Sequence, residues 1–307
     1  MAQAHSSDAH AIDGHALDGH AHDPNVYYVP HGSRWPVVAS VALFVTMVGF
    51  ASWLNEETWG RALFFVGLVS LAAILFKWFA DVIGESLRGY YNKQVDTSFR
   101  MGMVWFIFSE VMFFAAFFGA LFYARQYAAP WLNGEGGKAI TNTILYPGFS
   151  AGWPSNGPAA VGGHFQIVPA WGLPLLNTLI LLSSGVTVTI AHHALRGGRR
   201  KQLLAFLGLT ILLGASFLFF QATEYMEAYK ELNLTLGSGI YGSTFFMLTG
   251  FHGAHVTLGT IMLSIIWLRC LKGHFTKDDH FAFEAVAWYW HFVDVVWLGL
   301  FLFVYVL

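Results

Sequence analysis

Three sets of ionisable side chains stand in stretches otherwise suited to hydrocarbon: Glu110 in WFIFSEVMFF, His252 and His255 in GFHGAHVTLG, and Glu284, His291 and Asp294 in FEAVAWYWHFVDVVW. Burying such a group in a bilayer costs roughly 2.5–3.5 kcal/mol, so each needs a partner or a task. For Glu110 two readings stand side by side: a proton-accepting or lipid-contacting carboxyl, or a hydrogen-bonded carboxyl that fixes helix packing. His252 and His255 are three residues apart and share one side of a helix. Haem or copper ligation is one reading. Interhelical hydrogen bonding is the favoured one, because Gly250, Gly253, Ala254 and Gly259 let helices approach closely. Counted inward from opposite faces, Glu110 and this histidine pair reach similar depth, so Glu110 is expected to pair with His255 or His252. His291 and Asp294 have the spacing to hydrogen-bond along one face, in a packing network rather than a proton relay. His192 and His193 precede a basic loop, and Gln221, Glu224 and Tyr225 close another apolar run. Both sets read as wet groups at a membrane surface.

The elements that must carry these residues follow from seven apolar runs, at about 36–54, 60–79, 101–123, 171–191, 203–223, 240–268 and 283–305. A bilayer core of roughly 30 Å needs about 20 residues of helix. Backbone groups in lipid must bond internally, so the runs are helices, and outer-membrane strands of ~10 alternating residues would read differently. The fold class is an all-α membrane protein with seven transmembrane helices. Composition agrees: 56% of residues are apolar and 11% charged, against about 25% charged in soluble domains. A net charge of −2 gives no basic footprint and excludes nucleic acid as a partner. The single cysteine, Cys270, excludes an internal disulfide, a multi-thiolate zinc or iron–sulfur site, and a copper centre bridged by two cysteines.

Residues 1–33 differ from the rest. His5, His10, His15 and His20 keep a five-residue beat with Asp8, Asp13, Asp18 and Asp23, which matches neither helix nor strand. With no apolar run and no basic start, the segment reads as a mobile cytoplasmic tail that buffers protons, not as a signal peptide or a metal trap. Of the Lys and Arg residues in the connections, twelve fall on one side and four on the other. This places the N-terminus inside and the C-terminus outside. Residues 34–98 hold two helices and an inner link over 81–99; residues 99–307 hold five. The outer connection 126–170 is the longest, rich in Gly and Pro, and its aromatics (Trp131, Tyr146, Phe149, Trp153) suit packing on something, with another respiratory complex as one candidate. Lys77, Trp78, Asp81, Glu85 and Arg88 form a charged helix end where basic groups would hold anionic lipid headgroups.

Several stretches resemble subunit III of the haem–copper cytochrome c oxidases, aa3 type: HFAFEAVAWYWHFVDVVW at 280–297, SEVMFF around Glu110, LPLLNT at 173–178, SSGVTVTIAHH at 183–193, QATEY at 221–225, YGSTFFMLTGFHGAHV at 241–256 and KWFADVIGES at 77–86. They cover the third to seventh runs in order and reach into the second. The resemblance implies a two-helix group and a five-helix bundle around a V-shaped cleft filled with structural phospholipids. It implies no metal and no catalytic residue in this chain, with haem a and copper in partner subunits. The chain would be a non-catalytic subunit that contacts mainly subunit I, with subunit II in the same complex. That complex oxidises cytochrome c, reduces oxygen to water and pumps protons. The chain would stabilise subunit I, support proton uptake from the inside and protect against turnover inactivation. Glu110 matches a buried carboxyl known for carbodiimide reactivity, while Trp78, Glu85 and Arg269, with Arg88 nearby, match the region of cleft lipids. Three features depart from the family: the His/Asp tail, the long and different 126–170 connection, and Tyr90 and Tyr91 where some relatives have histidines. The tail and connection favour a bacterial plasma (inner) membrane over the mitochondrial inner membrane. Subunit III of a related quinol oxidase is the alternative, although it usually has fewer spans. A free-standing redox or transport protein would reveal itself by a haem band in the isolated chain.

Overall fold

A computed structural model describes residues 27–29, 32–150 and 152–307; most of the His/Asp tail lies outside them. Seven of its helices are long and apolar enough to cross a membrane. The chain divides into two compact units, Met1–Thr97 and Ser98–Leu307.

In the first unit, α1 (Trp35–Leu54) and α2 (Gly60–Leu87) form a hairpin. Their backbones touch because glycine lines the seam. A Cβ on Gly67 would lie 2.6 Å from the Thr46 nitrogen, and one on Gly49 would strike the Phe64 backbone. Without a water-driven hydrophobic effect between helices, this close van der Waals approach holds them together. Large side chains point the other way: Val37, Phe44, Val66, Val69 and Phe76 are all exposed. Trp35 donates its Nε1–H to Asp81 Oδ2 at 3.0 Å, tying the start of α1 to the end of α2.

The inner link is shorter than the sequence suggests. Helix α2 continues to Leu87 and α3 (Lys93–Tyr123) begins at Lys93, so only 88–92 connect them, not 81–99. Polar residues there extend the helices beyond the apolar runs, and Asn92 Oδ1 accepts the Gln94 and Val95 amides at 3.1 and 3.0 Å.

In the second unit α3 does not stop at Tyr123. One π-helical turn, Ala124–Ala128, carries it into Ala129–Leu132. The long outer connection therefore starts after Leu132, and it contains α4 (Ala139–Leu145). Its later part is tied down. Asn233 Nδ2 donates to the carbonyls of Gly162 and His164 at 3.1 and 2.8 Å, the Gln166 amide donates to Leu232, and the Trp153 and Phe165 rings pack on Tyr241.

Helices α5 (Leu173–Arg196), α6 (Arg200–Lys230), α7 (Gly239–Leu271) and α8 (Phe281–Leu300, prolonged by a π turn over Phe301–Val306) complete the bundle. Trp290, Trp297 and Phe217 fill its axis and are at most 1% exposed. The Trp290 ring occupies a notch left by Gly214 and Gly259, where a Cβ would approach it to 2.7 and 2.8 Å. Both indole N–H groups are satisfied, Trp290 by Ser184 Oγ and Trp297 by Thr178 Oγ1, each at 2.9 Å. Cys270, near the end of α7, is buried.

Candidate functional site

Helices α3 and α7 bring Glu110 and His255 together, His255 Nε2 lying 2.9 Å from Glu110 Oε2. The other ring nitrogen, Nδ1, faces the Phe251 carbonyl at 2.6 Å. A carbonyl only accepts, so Nδ1 carries a hydrogen. Two states then remain for the facing pair: a neutral imidazole accepting from a protonated Glu110, or an imidazolium donating to a carboxylate. They differ by one short proton transfer and carry the same net charge of zero. The Phe114 ring meets the imidazole edge at 5.0 Å and Tyr289 stacks on it at 6.3 Å. His252 takes no part. Its Nε2–H donates to the Val293 carbonyl at 3.2 Å, and its ring, 1% exposed, sits between Phe217 and Trp297.

The expected network on α8 is arranged differently. His291 Nδ1 lies 3.9 Å from Asp294 Oδ2, too far for a hydrogen bond, and its Nε2 meets Thr189 Oγ1 at 3.2 Å instead. Asp294 is buried in the space left by the missing side chain of Gly185. Glu284 belongs to another group altogether. Arg100 from α3 forms an ion pair with its Oε2, while His280 Nε2 and His192 Nε2 lie 3.1 and 3.6 Å from its Oε1. Arg100 also covers the Phe281 ring at 5.1 Å.

Neither wet-surface expectation holds in full. Glu224 is 1% exposed and accepts a hydrogen bond from Tyr305 Oη at 2.6 Å; Gln221 is buried beside it on α6. Tyr225 pairs with Thr249 Oγ1 at 2.6 Å. The end of α8 covers this part of α6 from far along the chain. His192 is drawn into the Glu284 group for the same reason. The sequence reading missed Arg100, His192, His280 and Tyr305 as partners. Only the four-residue spacing of His280 and Glu284 on one helix face carried a usable signal.

The lipid candidates fall in both units. Trp78 and Glu85 lie in the last turns of α2, and Arg88 caps its C-terminal end. Both Glu85 oxygens accept phenol hydrogens, Oε1 from Tyr28 at 3.1 Å and Oε2 from Tyr91 at 2.6 Å. Burial, and then the hydrogen bond and negative charge of Glu85, raise the Tyr91 pKa well above its ordinary value; the same causes raise that of Tyr28. Arg88 is exposed. Arg269, in the second unit, is 9% exposed and lies over the Phe275 ring at 4.4 Å.

A family model described as cytochrome c oxidase subunit III matches residues 25–134 and 145–307. This chain belongs to the cytochrome c oxidase subunit III family. Cytochrome c oxidase subunit 3 of Tetraodon nigroviridis is 42% identical over 92% of this chain and 98% of its own length. That of Prototheca wickerhamii is 41% identical over 91% and 96%, and that of Dugong dugon 40% over 92% and 98%. The chain is thus a multi-pass subunit of an oxidoreductase complex. All of the site residues above lie within the matched segments. So does most of the outer connection. The residues between the two matched segments, 135–144, fall inside that connection and include the start of α4.

Proposed function

We propose that this chain is the non-catalytic subunit III of a proton-pumping aa3-type oxidase that takes electrons from cytochrome c. It stabilises subunit I, its main contact, with subunit II in the same complex, holds structural phospholipid and supports proton uptake. The carrying observation is how the membrane histidines are engaged. His252 Nε2 is held by a backbone carbonyl with the ring wedged between Phe217 and Trp297, and His255 is held by Glu110 and a second carbonyl, so both rings serve the packing of helices. Haem a and copper then reside in partner subunits. The neutral Glu110–His255 pair supports a role in packing or in local proton exchange, without a redox centre.

Trp78, Arg88 and Arg269, near the basic ends of their helices, suit anionic lipid headgroups, with Glu85 set by its two tyrosines. Charge bias in the connections supports an inside N-terminus, and the distinctive tail and outer connection support a bacterial plasma membrane. The outer connection is the surface offered to any further respiratory complex.

Removal of this chain from the complex purified in mild detergent tests the reading. Haem a and cytochrome c oxidation are expected to stay with the remaining subunits, with faster loss of activity during turnover. Haem remaining on the stripped chain would overturn it.

A further inference from the structure

The Glu284 group has the chemistry of a cation site. His192 on α5, His280 at the N-terminal cap of α8 and Glu284 in the first turn of α8 each offer one ligand atom, and the three atoms lie within 4.8 Å of one another. The donor set is two imidazole nitrogens and one carboxylate oxygen. Hard cations such as Ca2+ and Mg2+ prefer oxygen alone, whereas zinc accepts this mixture. With Zn–N and Zn–O bonds near 2.0–2.1 Å, two ligands of a tetrahedral ion stand about 3.3 Å apart. The distances from Glu284 Oε1 to His280 Nε2 and His192 Nε2 are 3.1 and 3.6 Å, on either side of that value.

A second observation is independent of spacing. His280 is 8% exposed, and its Nε2, like that of His192, is a buried nitrogen without a geometrically sound hydrogen bond. Buried nitrogens without partners are costly. Both face the same carboxylate oxygen. Arg100 occupies the other oxygen, Oε2, and so orients the carboxylate with Oε1 toward the imidazoles. Metal ligands commonly have such an outer partner. Its positive charge opposes a cation, which sets this site apart from the very tight structural sites with several thiolates.

We propose that His192, His280 and Glu284 form a binding site for a zinc-class divalent cation, with three protein ligands and a fourth position for water. The ion would bridge α5 to α8, and through the Glu284–Arg100 pair to α3, at the end of the bundle that carries the basic 196–201 connection.

The test uses the intact oxidase, washed with chelator, in a background where His5, His10, His15, His20 and His22 are replaced by Ala so that the tail does not contribute. Equilibrium binding of radioactive zinc is compared with enzyme carrying His192→Ala or His280→Ala. Each variant is expected to weaken one zinc site per complex by tenfold or more, with the oxidase spectrum unchanged. The zinc-edge X-ray absorption difference between background and variant should show nitrogen and oxygen donors, imidazole included, and excess Ca2+ should not compete. Equal zinc binding by background and variants overturns the proposal. If a variant chain leaves the complex, oxidase stripped of this chain becomes the reference; zinc content unchanged by stripping overturns it equally.

Discussion

At the residue scale, the proton count of the Glu110–His255 pair makes a sharp prediction. Glu110→Gln keeps a donor facing His255 Nε2 and should leave the subunit's thermal retention in the complex within about 1 kcal/mol of the parent. Glu110→Ala leaves a partly buried ring nitrogen without its carboxyl partner and should cost about 1–3 kcal/mol. Equal behaviour of the two variants in a heat-release assay would refute the pairing. A pH prediction comes from Glu85. The folded chain holds the Tyr91 pKa above the ordinary 10.0. The contribution of its hydrogen bond is therefore whole below pH 10 and is lost as pH rises from there through the higher folded value. Tyr91→Phe should cost about 1 kcal/mol at neutral pH, the partial exposure of the site reducing the charged bond's full worth. It should also remove one late-titrating component from the tyrosinate absorbance curve. Little of this was legible beforehand. The types of Glu110 and Glu284 announced that they needed partners, but Arg100 lies 184 positions from Glu284 and His255 145 from Glu110, distances that no local pattern spans.

At the element scale, the seven spans were plain in the sequence because an apolar run of about 20 residues has few other uses. Their ends were not, since polar residues prolong α2 past Phe79 and a π turn prolongs α3 past Tyr123. The α1–α2 seam offers a contrast between two glycines of one helix. Gly67→Ala drives a methyl into the Thr46 backbone, whereas Gly84→Ala meets nothing within 4 Å. The first is expected to splay the hairpin, at about 1–3 kcal/mol for an overpacked contact, and the second to be silent. Thermal release of the subunit from lipid-containing oxidase would measure both. Matching midpoints would show that the helices do not depend on this seam.

At the scale of the whole molecule, burial is unevenly shared. Within the most apolar stretch of each span, 56% of residues in the last helix are buried but only 6% in α2. The stability of the second unit therefore rests on its filled axis, while α1 and α2 present apolar surface to their surroundings. Phe217→Ala should cost about 3–5 kcal/mol, and Phe44→Ala, 68% exposed, less than about 1 kcal/mol. Comparable losses on heating the complex would mean that the outer face of α1 is covered as tightly as the bundle axis.

The burial of Cys270 has a practical consequence. It is the chain's one cysteine and is 4% exposed, so a thiol-directed spin label or dye applied to the folded subunit should pass it by. The native chain is thus already a quiet background for site-directed labelling. A cysteine placed at Gly84, where an added side chain has open space, would take up the reagent alone and report the motion of α2 during turnover.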